Sequence, residues 1–364
     1  MIARPPPAVS SDTLFAVQYL RAAAALAVVF FHVSVLSQET WALDPERIDH
    51  VGAAGVDLFF VISGFIMAMI VARPGRFDGR DFWIRRVARV VPAYWLITLL
   101  VFVLAWTLPS LFNSTVASLH NLVVSLSFVA LEQSDGNTGP LLVVGWTLNY
   151  EMAFYVLVAV TAGLFADRRL ITASAVIIAI VGAGVLIHPV NPTLEFYSNP
   201  ILLEFVFGIL VYHAWKWGGG RALGARRPIS IVIFALGIIL LASQWERPLQ
   251  DWRPFFWGVP AMAVLYGGLG ALTFTSPLLA RLGDWSYALY ITHVFVVTFY
   301  IKHLMSAIHP ISLPWQAHYL IMTVAALAVA AVFYTLVERP LSRLMLARLR
   351  RPRPHPVPEP SHGA

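Results

Sequence analysis

Two ionisable residues sit in one apolar stretch, YLRAAAALAVVFFH, as Arg21 and His32. Eleven residues of α-helix turn through roughly 1100°, about 20° beyond three full turns, and rise about 16 Å, so both side chains leave the helix on one face. On that face Arg21 suits a phosphate or the polarisation of a carbonyl, and a neutral His32 suits taking a proton from a hydroxyl. The competing reading is an arginine that snorkels to an interface and a histidine hydrogen-bonded inside a bundle.

Further candidates follow along the chain. GWTLNYEMAFY places Trp146, Asn149 and Glu151 in one apolar segment, and Glu151, if ionised there, needs a partner such as protonated His32. GVDLFFVISGF carries Asp57 near one end, and Ser63 beside Gly64 lets a helix or ligand approach closely. Ser63 lacks the flanking glycines of a nucleophile elbow. DFWIRRVARVVPAYW holds Arg85, Arg86 and Arg89, a guanidinium cluster suited to a polyphosphate; orientation in a membrane or contact with anionic lipid explains such a cluster equally well. Glu204 reads as an outer polar group, His293 in GDWSYALYITHVF as a mid-membrane residue, structural or catalytic, and Glu338 before Arg339 and Pro340 as half of a helix-end ion pair. No metal is expected, because the histidines lack ligand spacing such as HExxH, and no phosphate-binding glycine loop is present.

Positioning these groups is the task of membrane helices. Apolar segments long enough to span run at about 15–37, 55–72, 90–107, 144–165, 170–187, 199–217, 229–243, 254–273, 285–305 and 317–337. The piece 116–131, broken by Ser118, His120, Asn121, Ser125 and Ser127, reads as interfacial or re-entrant. Ten spans from a cytoplasmic N-terminus leave only Arg47, Arg247, Arg253 and Lys302 of the basic residues outside, whereas an eleventh span at 116–131 would invert every later loop against the positive-inside rule. Both termini are therefore expected in the cytoplasm. The organisation is a short N-terminal segment, 1–14, a transmembrane domain, 15–338, and a basic, proline-rich tail, 339–364, expected to be disordered. The first apolar stretch lacks a cleavage site and reads as a retained helix.

Composition agrees. Of 364 residues 59% are hydrophobic and 12% charged, against about 45–50% and about 25% in soluble domains. A soluble enzyme is excluded, and continuous apolar runs exclude a transmembrane β-barrel. The class is an all-α polytopic membrane protein. The net charge of +6 reports loop orientation, not nucleic-acid binding, and with Cys 0 there is no disulfide, thiolate metal site or cysteine nucleophile.

In order along the chain, the Arg21/His32 stretch, GVDLFFVISGF, FWIRRVARVVPAYW, GWTLNYEMAFY, LGDWSYALYITH and VERP together resemble the bacterial membrane-bound acyltransferase type 3 family, and the NYEMAFY form its exopolysaccharide acetyltransferase branch. The resemblance implies a multi-pass protein of the bacterial inner membrane. It implies transfer of an acyl group, commonly acetyl, from cytoplasmic acyl-coenzyme A to a hydroxyl of a glycan or lipid-linked saccharide, with no permanently bound cofactor. It makes His32 the base or acyl relay and Arg21 its donor-side partner, brings Glu151 into the site, and moves Arg85, Arg86 and Arg89 toward donor binding. Direct transfer and a covalent acyl-His32 stay open. The rival functions are a glycan or small-anion transporter, which the lack of internal repeats disfavours, and a scaffold in a polysaccharide assembly complex.

Overall fold

The computed structural model describes residues 11–41, 50–73, 77–109, 115–132, 138–165, 168–218, 227–244, 252–304 and 313–350. Every element among them is helical. In chain order these are α1 (Ser11–Trp41), α2 (Ala54–Val71), α3 (Gly79–Thr107), α4 (Leu119–Leu126), α5 (Trp146–Leu164), α6 (Arg169–Ile187), α7 (Pro192–Tyr197), α8 (Leu203–Trp217), α9 (Arg227–Ala242), α10 (Val259–Ala271), α11 (Pro277–Phe299), α12 (Trp315–Phe333) and α13 (Arg339–Leu349). Eight helical stretches are long and apolar enough to cross a membrane, and α9 is a shorter apolar helix. The protein is a polytopic helical membrane protein. Ile171 and Ile178 on α6, Val232 and Ile239 on α9, and Leu320 and Val324 on α12 are all more than half exposed. These outer faces are the ones lipid covers.

Local sequence sets the helix starts. Asp78 accepts a hydrogen bond from the Asp81 backbone N–H and caps α3, and Ser276 accepts one from Leu279 N–H ahead of Pro277 in α11. Close crossings depend on glycine. A Cβ on Gly64 of α2 would lie 2.1 Å from the Phe205 carbonyl oxygen, and one on Gly208 of α8 would lie 2.0 Å from that of Val61. Without a hydrophobic force between helices in lipid, such backbone contact is what holds them together. Gly64→Ala should therefore lose at least the ~1–3 kcal/mol typical of overpacking, seen as a lowered unfolding temperature in detergent. Gly163→Ala, whose new Cβ meets nothing within 4 Å, should leave that temperature in place.

The helix α1 runs beside α11. Gln18 donates to Asp284, Arg21 to Ser286, and the His32 ring meets that of His293. These contacts climb both helices in the same order, so α1 and α11 are parallel. That orientation fits crossings by α2, α3, α5, α6, α8, α9 and α10 between them and is the reverse of what a further crossing by α4 would give. The segment read as interfacial or re-entrant contains only α4, eight residues long, or about 12 Å of helix, well short of a bilayer core.

The C-terminal part departs from expectation. From Trp315 to Leu349 the chain is continuously helical, with a π-helical turn at Tyr334–Glu338, so the tail expected to be disordered from Arg339 is helix as far as Leu349. Arg350 donates to Asp81 at 2.9 Å and Arg80 to the Leu349 carbonyl at 3.3 Å, tying α13 to α3. Residues 351–364 lie outside the described residues, as does the N-terminal segment up to residue 10.

Candidate active site

A cavity opens where α1, α2, α3, α5 and α11 converge, lined by Arg21, Ser63, Arg86, Arg89, Glu151 and Tyr155, with Ser286, Tyr287 and Tyr290 on the α11 side. Helical periodicity explains the gathering. Ser63 and Met67 fall on one face of α2 at i and i+4, Arg86 and Arg89 on one face of α3 at i and i+3, and Glu151 and Tyr155 on one face of α5 at i and i+4.

The polar side of the cavity is strongly cationic. Arg21 spends its donors on neutral acceptors, Ser286 Oγ at 2.8 Å and Gln18 Oε1 at 3.3 Å. Arg86 lies over the Tyr155 ring at 5.8 Å, and its buried Nε has no acceptor among the described residues. Among the described residues none of Arg21, Arg86 and Arg89 has a carboxylate within ion-pair distance. Glu151 instead accepts from Ser63 Oγ at 2.9 Å and from the Tyr155 hydroxyl. The partner expected for Glu151, protonated His32, is thus replaced by two hydroxyls. Glu338 is buried, one of its oxygens has no partner among the described residues, and Arg89, Arg21 and Asp284 are the charged groups near it. It makes no helix-end ion pair among the described residues: the helix runs on past it through a π turn, and the side chain is buried.

His32 stands apart from that lining. Its Nδ1 lies 2.9 Å from the Val28 carbonyl and 3.2 Å from His293 Nε2, and His293 Nδ1 lies 3.0 Å from the Leu289 carbonyl. The connection to the cavity runs through Tyr290, whose ring is 6.1 Å from that of His293 and 5.9 Å from that of Phe59; Phe59 and Tyr290 both line the cavity. The Tyr290 hydroxyl is fixed, donating to the Val144 carbonyl at 3.0 Å and lying 2.8 Å from Thr147 Oγ1.

Other sequence candidates lie elsewhere. Arg85, adjacent to Arg86, points about 100° away from it and pairs with Asp81 at 2.6 Å, largely exposed; it does not line the cavity. Asp57 is fully buried in an ion pair with Arg253, whose Nε and Nη2 donate to its two oxygens at 2.9 and 2.7 Å. Glu204, expected as an outer polar group, is fully buried against Asp57 of that pair. Trp146 packs edge-on against Tyr150, and Asn149 is buried with its Oδ1 unpartnered; neither lines the cavity. No group of three or more potential metal ligands occurs among the described residues.

The sequence reading passed over Tyr155, Ser286, Tyr290 and Arg253. The first three lie inside segments already singled out, four residues after Glu151 and seven and three before His293, and helical spacing would have found them. Arg253 sits just after Trp252, which adopts a left-handed φ of 59°, and nothing local marks its partner.

Comparison with known proteins completes the picture. The family described as an acyltransferase domain (Acyl_transf_3) matches residues 14–335. The chain is similar to the exopolysaccharide production protein ExoZ of Rhizobium meliloti, 35% identical over 309 residues covering 82% of this chain and 92% of that one. It is 27% identical to the acyltransferase MdmB of Streptomyces mycarofaciens over 90% of this chain and 91% of that one. It is 24% identical to the putative peptidoglycan O-acetyltransferase YrhL of Bacillus subtilis over 88% of this chain and 54% of that one. No solved structure matches the chain. The chain therefore belongs to the acyltransferase type 3 family, on the side that includes the exopolysaccharide production protein, and is a multi-pass membrane O-acetyltransferase.

Proposed function

We propose that this protein moves an acetyl group from acetyl-coenzyme A on the cytoplasmic side to a hydroxyl of an exopolysaccharide or other cell-surface glycan, in the bacterial inner membrane, with both chain termini in the cytoplasm. The observation that carries the donor half is the set of three guanidinium groups, Arg21, Arg86 and Arg89, converging on one cavity with no carboxylate paired to any of them among the described residues. Unpaired buried cations are costly, and the phosphates of a coenzyme A donor are the anionic groups that would compensate them. The acceptor half rests on the resemblance to the exopolysaccharide production protein.

In this reading His32 Nε2 takes the proton of the acceptor hydroxyl as its oxygen bonds to the acetyl carbonyl carbon. Arg21, about 16 Å of helix rise away from His32, binds the donor in the cavity and not at the reacting carbonyl. The C–S bond then breaks, and the proton leaves with the coenzyme A thiolate as free thiol. Ser63, Glu151 and Tyr155 line the same cavity as Arg21, and Tyr290 packs between Phe59 of that lining and His293, the neighbour of His32.

The test is radiolabelled acetyl-coenzyme A supplied to membranes of the producing cell. Label entering the polysaccharide fraction supports the reading. Polysaccharide that is exported yet stays unlabelled, with no O-acetyl signal lost by NMR on deletion of the gene, overturns it in favour of a transporter. A finer expectation concerns Arg89→Gln. Losing one charged hydrogen-bonding group, worth about 1.5–3 kcal/mol, should raise KM for acetyl-coenzyme A roughly 10- to 100-fold while protein abundance holds. An unchanged KM would remove Arg89 from the donor site.

A further inference from the structure

His293 has no part in the chemistry just described, yet it is fully buried on α11 and its Nε2 lies 3.2 Å from His32 Nδ1. The protons on this pair can be assigned from the acceptors around it. A carbonyl oxygen only accepts, so His293 Nδ1, 3.0 Å from the Leu289 carbonyl, carries a hydrogen. For the same reason His32 Nδ1, 2.9 Å from the Val28 carbonyl, carries one too. His293 has no carboxylate partner among the described residues, and a second proton would leave an uncompensated charge in a closed site, so its Nε2 presents a lone pair. The Nδ1–H of His32 is thus shared between Val28 O and His293 Nε2. His32 Nε2, for which no protein donor lies in reach among the described residues, keeps its own lone pair.

We infer that His293 is a positioning residue for His32. Its neutral lone pair locks the His32 ring in the tautomer whose Nε2 is basic, and it receives a strengthened hydrogen bond when that ring becomes an imidazolium. When Nε2 takes the proton of the acceptor hydroxyl, the donor at Nδ1 becomes charged, and hydrogen bonds from charged donors are roughly twice as strong as neutral ones. The arrangement parallels the third member of a serine-protease triad, which holds a histidine through its Nδ1–H, except that the supporting group is a neutral ring. The parallel packing of α1 on α11 delivers the geometry, because the stripe of α1 that bears Arg21 and His32 faces the stripe of α11 that bears Ser286 and His293.

This inference rests on His32 acting as the base, and the experiment separates the two. Membranes carrying His293→Leu, His293→Gln, His32→Ala and the His32→Ala/His293→Leu double variant are assayed for transfer from radiolabelled acetyl-coenzyme A to the polysaccharide fraction, with kcat and KM for the donor measured apart. His293→Leu fills the space without an acceptor and should lower kcat roughly 10- to 100-fold, less than the ~10⁴-fold known for loss of a charged orienting group, with KM unchanged. His293→Gln, whose amide oxygen can stand where Nε2 stood, should recover most of that loss. Adding His293→Leu to His32→Ala should cost nothing further, since both act in one step.

A normal kcat in His293→Leu would overturn the inference. So would equal impairment of the Leu and Gln variants at normal abundance and unfolding temperature, which would mark a packing role. Transfer retained by His32→Ala would instead overturn the base assignment itself. If His293→Leu fails to accumulate, His293→Asn, an amide too short to reach His32, takes its place against His293→Gln.

Discussion

Replacing His32 by Ala should reduce acetyl transfer by about 10²- to 10⁴-fold, the span that a positioned general base contributes, while the protein remains in the membrane at its normal level. The side chain is half-buried on α1 and its hydrogen bonds involve Nδ1, to the Val28 carbonyl and His293. Its truncation takes the donor from buried His293 Nε2, a loss of about 1–3 kcal/mol, and breaks no ion pair among the described residues, so the fold should hold. Binding of acetyl-coenzyme A should survive, because His32 does not line the cavity that gathers Arg21, Arg86 and Arg89. The measurement is label transfer to polysaccharide from membranes normalised to protein, with donor binding followed in parallel. Transfer at the parental rate would show that the acceptor hydroxyl loses its proton elsewhere. Loss of donor binding together with transfer would show that His32 belongs to the donor site instead.

The second large effect concerns stability. Arg253 clamps Asp57 with two hydrogen bonds and reaches the Ala53 carbonyl at 3.3 Å, joining the start of α2 to the π turn that leads into α10. Removing one partner of such a buried pair typically costs about 3–5 kcal/mol, whereas replacing both by apolar residues of similar volume is often neutral. Glu204 makes the two single substitutions unequal. After Asp57→Leu the guanidinium still feels the Glu204 carboxyl nearby; after Arg253→Leu two acidic side chains share a closed pocket with no cation. The expected order of unfolding temperature in detergent is therefore parent and Asp57→Leu/Arg253→Leu highest, Asp57→Leu lower, and Arg253→Leu lowest. Equal losses for the two single variants, or a double variant as poor as Arg253→Leu, would contradict the clamp.

Much of this arrangement can be read along the chain where helical periodicity carries it. The Arg21 and His32 spacing placed both on one face, and both do meet residues of α11, Ser286 and His293. The order of apolar segments matches the order of helices. The misreadings have physical causes. Arg85, Arg86 and Arg89 look like one cluster in sequence, but successive helix residues diverge by about 100°, and Arg85 sits four residues after Asp81, which draws it away. Arg253 and Asp57 are 196 positions apart, and a pairing at that distance leaves no periodic trace. Glu338 reads as a helix end from the Arg339 and Pro340 that follow it, but the helix continues through a π turn at Tyr334–Glu338 to Leu349, and Glu338 is buried.

The parallel seam of α1 and α11 also has a consequence for biosynthesis. Arg21 and Ser286 are 265 positions apart, and His32 and His293 are 261. On the ribosome the first helix therefore enters the membrane long before its polar partners exist. Until α11 is inserted, an arginine and a histidine at membrane depth have only transient neighbours, water defects or a chaperone to satisfy them. A chain cut short before residue 277 lacks both Ser286 and His293 and leaves that stripe of α1 without its α11 contacts, so the same residues that equip the enzyme for transfer make its insertion depend on the last third of the chain.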